Sequence, residues 1–256
     1  MAQPDAGTQL TLMTSTGMVD DVALPELYAY PDDLRKCWVR ANFISSLDGA
    51  SAVDGNSGSL GGPGDRALFA VMRELADVIV VGAGTVRAEN YGGATLTVAQ
   101  RQQRQTRGQA EVPPIAIVSN SGRLERDMKV FTHSEVPPLV LTSQAAASGT
   151  RALVGDAAEV IDCSGADRDA VDAVVLLAAL AARGLTRVLT EGGPSLLGTF
   201  IEEDLLDELC LTLAPAVVGG DAGRIAHGAG RQTSMQRVHL LADDAGYLYS
   251  RYVRHA

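Results

Sequence analysis

Cysteine, aromatic residues and positive charge are all scarce in this chain, and each shortage removes a class of function. Only three cysteines occur, Cys37, Cys163 and Cys210. They are far apart, odd in number and outside any CxxC pattern, which excludes a disulfide scaffold and reads as reduced, buried, structural thiols. Lys and Arg total 21 against 31 Asp and Glu, a formal charge of -10 with a sequence pI near 4.8. That balance does not attract phosphate backbones or anionic lipid, so neither a nucleic acid nor a membrane is an expected partner. No run approaches the roughly 18 consecutive apolar residues that span a bilayer, and no basic stretch followed by an apolar signal core opens the chain. The expected location is the cytoplasm. HExxH, HxE with a later PCxxC, GxSxG and GxxxxGK[ST] are all missing, and the four histidines, His133, His227, His239 and His255, have no metal-ligand spacing. Zinc proteases, zinc deaminases, serine hydrolases and P-loop enzymes are thereby excluded, and no metal is expected. Hydride transfer survives the pruning, because there a cofactor supplies the reactive atom and the protein positions it.

What is present is a chain of 256 residues, 46% hydrophobic, able to bury one substantial core. Residues 1–36 read as an irregular N-terminal extension, packed on the domain or partly disordered, and residues 37–256 as a single α/β domain. WVRANFISSLDG reads as a strand entering a long Gly/Ser loop, and a helix is expected from Asp65, placed as N-cap, through RALFAVMRELA. DVIVVGAG is a buried strand whose glycines open a short helix at TVRAEN. From Tyr91 to Val112 the text is polar and basic and reads as a surface excursion, with its helical content left open by the pattern. PPIAIVSN, PLVLTS, EVIDCS and RVLTEGG are further strands, and VDAVVLLAALAARG is a helix stopped by Gly184. GGPSLLGTFIEEDL is a helix opened by glycine and DELCLTLAPAVVGG a strand. RVHLLADDAGYLYSRYV reads as a hairpin turning at Asp244 to Gly246. The sheet is therefore mostly parallel, with an antiparallel edge at the C-terminus.

Two strand ends carry glycines and then a helix start: Gly82 and Gly84 before Thr85, and Gly192 and Gly193 before Pro194, with Glu191 beside the second pair. Backbone N–H groups at such turns can hold a diphosphate, although the first turn taken alone reads more readily as a plain tight connection. In parallel sheets ligands lie beyond the carboxyl ends of strands, so two such turns in one sheet could grip one dinucleotide. Neither matches GxGxxG, which points away from an ordinary Rossmann domain. The Gly-rich loop offers Asp48, Asp54, Ser57, Ser59, Asp65 and Arg66. Asp48 reads as a turn former, and Asp65 as either a helix cap or an acid.

NFISSLDGASA, RELADVIVVGAGT, LTEGGPSLLGTF and DELCLTLAPAVVGG, in this order, resemble the reductase domain of the bifunctional riboflavin-synthesis deaminase-reductase and its stand-alone archaeal and fungal relatives. The resemblance runs from about Trp38 to the C-terminus. It implies a three-layer, dihydrofolate-reductase-like fold, NADPH as hydride donor, a homodimer and reduction of 5-amino-6-(5-phosphoribosylamino)uracil. By family position it assigns Ser57, Arg73 and Glu191 to the substrate. It assigns Ser59, Gly82, Gly84, Thr85, Glu89 (where the family usually has Asp), Ser119, and Gly192, Gly193, Pro194, Ser195, Leu196 and Leu197 to the cofactor. Arg123, with Asn120, would recognise the 2′-phosphate beside Ser119. Arg66 borders the same pocket, and Asp65 is the expected catalytic acid.

The family usually reads DDPxLTxR after VGAGT, whereas this chain reads ENYGGATLTVAQR, so the substrate-phosphate Arg is missing or displaced to Arg101. A dihydrofolate or other pterin reductase, and a catalytically inactive NADPH-binding module, are the alternatives this departure keeps open.

Overall fold

The computed structural model describes residues 17–20, 22–53 and 55–255. Asp54 and residues 1–16 of the N-terminal extension lie outside them. The element order is α1 (Leu24–Leu27), β1 (Trp38–Ser45), α2 (Pro63–Leu75), β2 (Val78–Gly82), α3 (Ala83–Ala88), α4 (Val98–Thr106), β3 (Ile115–Ser119), α5 (Lys129–Thr132) and β4 (Leu139–Thr142), followed by α6 (Gln144–Val154), β5 (Glu159–Asp162), α7 (Ala173–Ala181), β6 (Arg187–Gly192), α8 (Pro194–Glu202), β7 (Glu208–Leu213), β8 (Met235–Ala242) and β9 (Leu248–Arg254).

One sheet runs β5-β4-β3-β2-β6-β1-β7-β9-β8. Neighbours from β5 to β7 are parallel, and β9 joins β7 antiparallel with β8 outside it. The Val and Ile runs form central strands because both faces are covered. On one face Ile79, Val81, Ile115, Ile117 and Leu189 pack with Leu68, Met72 and Leu75 of α2. On the other Val78, Val80, Ala116 and Val188 pack with Leu176, Leu177 and Leu180 of α7 and with Leu197 and Phe200 of α8. Alternate residues of one strand thus enter different cores, which gives the three-layer, mostly parallel α/β fold that the resemblance implies. The expected C-terminal hairpin is present as β8 and β9.

Two expectations need correction, and one open stretch is resolved. Helix α2 begins at Pro63 with Gly62 as N-cap, so Asp65 lies in the first turn and does not cap it; Pro at the first helical position supplies the start. The short helix after β2 begins at Ala83 rather than at Thr85. The stretch left open after Tyr91 contains α4, started by a capping box between Thr97 and Gln100. Its Arg104 is fully buried and donates through Nη1 to the Glu74 and Ala76 carbonyls (2.8 and 2.5 Å), tying α4 to the end of α2. Helix α6, capped by Ser143, was not anticipated.

From Leu24 onward the extension joins the core: Leu24, Tyr28 and Tyr30 are buried against α2 and the sheet. It is held by a buried ionic cluster. Glu208 lies 2.7 Å from Arg40 Nε and 2.8 Å from Arg251 Nε, and accepts from Trp38 Nε1 at 2.9 Å. Arg251 also donates to the Leu27 and Ala29 carbonyls. Burial pushes the Glu208 carboxyl up, but the two guanidiniums outweigh it and hold it below its ordinary value. Cys37, Cys163 and Cys210 are free and buried, as read. Among the described residues no helix is long and apolar enough to cross a membrane, and no group of His, Cys, Asp or Glu could hold a metal ion.

Candidate active site

Strands β2 and β6 are parallel neighbours, so their glycine-bearing carboxyl ends emerge side by side. A Cβ on Gly82 would stand 3.5 Å from the Gly193 Cα, and one on Gly192 would stand 2.5 Å from Thr85 Cγ2. Gly193 has φ +96°, a conformation that disfavours any side chain. The β6 turn needs glycine at Gly192 and Gly193, whereas at the β2 turn a Cβ on Gly82 would make only ordinary contact where the two helix starts approach each other. The two turns floor a cleft of about 940 Å³, walled by α2, α3, the start of α8 and the loop before α2.

The sequence-derived site residues divide between this cleft and its surroundings. Ser57, Asp65, Arg66, Arg73, Gly82, Gly84, Thr85, Glu89, Glu191, Gly192, Gly193, Pro194, Ser195 and Leu196 line it. Ser59, Ser119, Arg123 and Leu197 do not. Ser119 is buried at the end of β3, where its carbonyl accepts from Thr142 Oγ1, and Leu197 is a core residue. Arg123 is exposed, and its carbonyl accepts from Arg87; of that turn, Asn120 reaches the cleft. Arg101 is engaged elsewhere, in a two-bond pair with Glu135 at 2.6 and 2.7 Å.

Asp65 projects from the first turn of α2 toward Thr212 on β7. Burial raises its carboxyl above its ordinary value, against the opposing pull of the Thr212 hydroxyl and the Arg66 guanidinium. Such a group keeps its proton to higher pH than a surface aspartate and can serve as an acid. Asp48 sits in the turn after β1, as read, and also accepts N–H bonds from Val218 and Gly219 at 3.1 and 2.7 Å, thereby anchoring the loop after β7.

Arg73 is not a surface helix residue. Its Nε and Nη2 donate to the two oxygens of Glu191, both at 2.7 Å, with its guanidinium over the Phe69 ring. Sequence reasoning missed Tyr91, which donates to Glu191 Oε2 and accepts from Arg73 Nη2. Nothing local marks it, since its partners are a helix residue and a strand end far away in sequence. A second unforeseen pair joins Ser57 to Glu89: the Ser57 hydroxyl and N–H donate to Glu89 Oε1 at 2.9 and 3.2 Å, fastening the glycine loop to the end of α3. Chemically the cleft offers a backbone-lined floor open to a diphosphate, a carboxyl whose pKa burial raises, and a guanidinium held in place by a buried carboxylate.

The RibD C-terminal domain matches residues 37–249. A 2,5-diamino-6-ribosylamino-4(3H)-pyrimidinone 5′-phosphate reductase of Methanothermobacter thermautotrophicus is 30% identical over 204 residues, 79% of this chain and 89% of the relative. A pyrimidine reductase-like protein of Corynebacterium diphtheriae superposes with a TM-score of 0.80 at 28% identity, covering 91% of this chain and 99% of the other. The deaminase and 5-amino-6-(5-phosphoribosylamino)uracil reductase of Thermotoga maritima shares the fold, with a TM-score of 0.67 at 17% identity over 86% of this chain and 57% of that protein. Paired glycine turns at one sheet crevice and a match spanning nearly the whole of the described domain lead to one statement: the chain belongs to the RibD C-terminal domain family.

Proposed function

We propose that this protein is an NADPH-dependent reductase of a ribosylaminopyrimidine phosphate, the substrate class in the name of its archaeal relative. The observation that carries the reading is the meeting of Gly82 with Gly193 at the floor of one cleft. Gly84 lines the same cleft with open space where a Cβ would stand, space that a dinucleotide can use, so the residues present fit the group. Gly82, Gly84, Thr85, Gly192 and Gly193 would hold it, with the N-terminal amides of α8 facing its phosphates. When bound, the reduced nicotinamide supplies a hydride.

The chain's own residues do the rest. Burial raises the Asp65 carboxyl above its ordinary value, and Asp65 is suited to pass a proton to the substrate nitrogen whose neighbouring carbon, C1′ of the ribosyl imine, gains the hydride. One hydride and one proton then balance the reduction. Arg73, fixed by the buried Glu191 carboxylate, orients the heterocycle from the wall of the cleft, and the Ser57–Glu89 bond keeps the loop over the cleft. Loss of nicotinamide absorbance with the ribosylaminopyrimidine phosphate tests the reading; no oxidation with it or with a dihydropterin would end it.

A pterin substrate is the second reading, favoured by the pairing of Arg101 with Glu135, which leaves no arginine at the family's phosphate position. Two further parts of the proposal are a cytoplasmic setting, consistent with three free thiols, and a homodimer, for which the edge strand β8 with exposed Val238 offers a surface. Sedimentation at several concentrations tests the dimer.

A further inference from the structure

The C-terminal hairpin reaches the start of α2. Strand β9 lies antiparallel to β7 with Tyr249 paired to Thr212, so the two side chains share one face of the sheet. The Thr212 hydroxyl is the group that bonds the Asp65 carboxyl. Beside it the Tyr249 hydroxyl donates to Asp243 Oδ2 at 2.6 Å, while Asp243 Oδ1 accepts from the Ala245 and Tyr247 N–H groups, both at 3.0 Å, and fixes the hairpin turn. From that turn the Tyr247 hydroxyl donates to the Leu60 carbonyl at 3.0 Å, and its ring stacks with that of Tyr249 at 6.2 Å. The fit to the helix start is close. A Cβ on Gly62 would stand 2.8 Å from the Tyr247 ring, and one on Gly64 would overlap the Tyr249 hydroxyl. Neither tyrosine lines the cleft, so whatever they contribute to it passes through α2.

We propose that Tyr249 is a positioning residue for the acid: bonded to Asp243 and pressed against Gly64, it fixes the first turn of α2 so that the Asp65 carboxyl stays on Thr212 at the wall of the cleft. The ring fills the space above Gly64, and the bond to Asp243 sets where the ring sits. Burial, the bond to Asp243 and the negative charge of Asp243 push the Tyr249 phenol above its ordinary value, so it stays protonated and donating at neutral pH.

The inference rests on the reductase reading, in which Asp65 is the acid. The test measures kcat and KM for NADPH oxidation with the ribosylaminopyrimidine phosphate in the wild type, Tyr249→Phe, Asp65→Asn and the double variant. Tyr249→Phe should lower kcat about tenfold with KM for NADPH unchanged. In the Asp65→Asn background it should lower kcat no further, because no acid is left to misplace. Asp243→Asn keeps Oδ1 for the turn and puts an amide N–H where the Tyr249 hydroxyl needs an acceptor. It must therefore act in the same way, and it decides the outcome if Tyr249→Phe does not fold. Equal losses in both backgrounds, a raised KM for NADPH in place of a lowered kcat, or no loss at all overturns the role of Tyr249 and leaves the reductase reading standing. No oxidation by the wild type ends the reductase reading and, with it, the acid that Tyr249 would position.

Discussion

Gly82 and Gly193 stand against each other at the floor of the cleft, each with space for a Cβ only 3.4 to 3.5 Å from the other's Cα. The contact joins the ends of two strands that are distant in sequence, and it makes the crevice between β2 and β6 a backbone surface. Gly84, two residues further on in α3, has nothing within 4 Å of a built Cβ.

Gly84→Ala separates a structural glycine from a binding one. In the free protein the methyl meets open space and gains helix propensity, so stability rises by roughly 0.5–1 kcal/mol. If the nucleotide lies on this surface, the same methyl weakens NADPH binding by about tenfold or more. Thermal unfolding with calorimetric titration reads both, and a stabilised variant with unchanged affinity contradicts the proposed cofactor site.

Asp65→Asn is expected to keep NADPH affinity and lose most of kcat. In the wild type, kcat/KM falls as pH rises past the Asp65 pKa, which lies above the ordinary 3.8, and the variant lacks that limb. The stability sign follows from the same shift. The folded chain holds this proton more tightly than the unfolded one, so the contribution is full in acid and is lost as pH rises through the folded pKa. Asp65→Asn therefore melts higher than wild type at neutral pH and close to it in acid; equal melting at both ends contradicts the burial argument.

Asp48 titrates in the opposite direction. The Ser46 hydroxyl and the amides of Gly219 and Val218 hold its carboxyl at about 2, against 3.8 unfolded. Its hold on the loop is complete above the unfolded value and is lost as pH falls toward 2. Asp48→Ala should speed hydrogen exchange of the Val218 and Gly219 amides at neutral pH, while exchange in β2 stays unchanged.

Glu208→Ala leaves two buried guanidiniums without their carboxylate and costs about 3–5 kcal/mol in denaturant unfolding. A loss below 1 kcal/mol would mean that water reaches the cluster.

The strands and both glycine turns were legible because each depends on local text: a Val/Ile run for a strand covered on two faces, and glycines where a strand must turn into a helix. The start of α2 was misread because Asp65 is a common capping residue, whereas Gly62 and Pro63 carry the signal. Helix α4 hid behind its polarity, although Thr97 and Gln100 spell a capping box. The Arg73–Glu191–Tyr91 cluster was half legible: family resemblance reached Arg73 and Glu191 as separate ligand contacts, but their mutual bond and Tyr91 depend on which strands lie adjacent. Ser57–Glu89 was missed for the same reason, as one residue was assigned to substrate and the other to cofactor.

The insertion of β6 between β2 and β1 also governs how the chain is made. Trp38 pairs with Arg187, and Arg40 with Glu208, so the first strand leaves the ribosome long before either neighbour exists. Until then its apolar side chains have no sheet to join, and closing such distant pairings is slow. Nascent molecules of this protein should depend on chaperone shielding of the Trp38–Ser45 segment through most of synthesis.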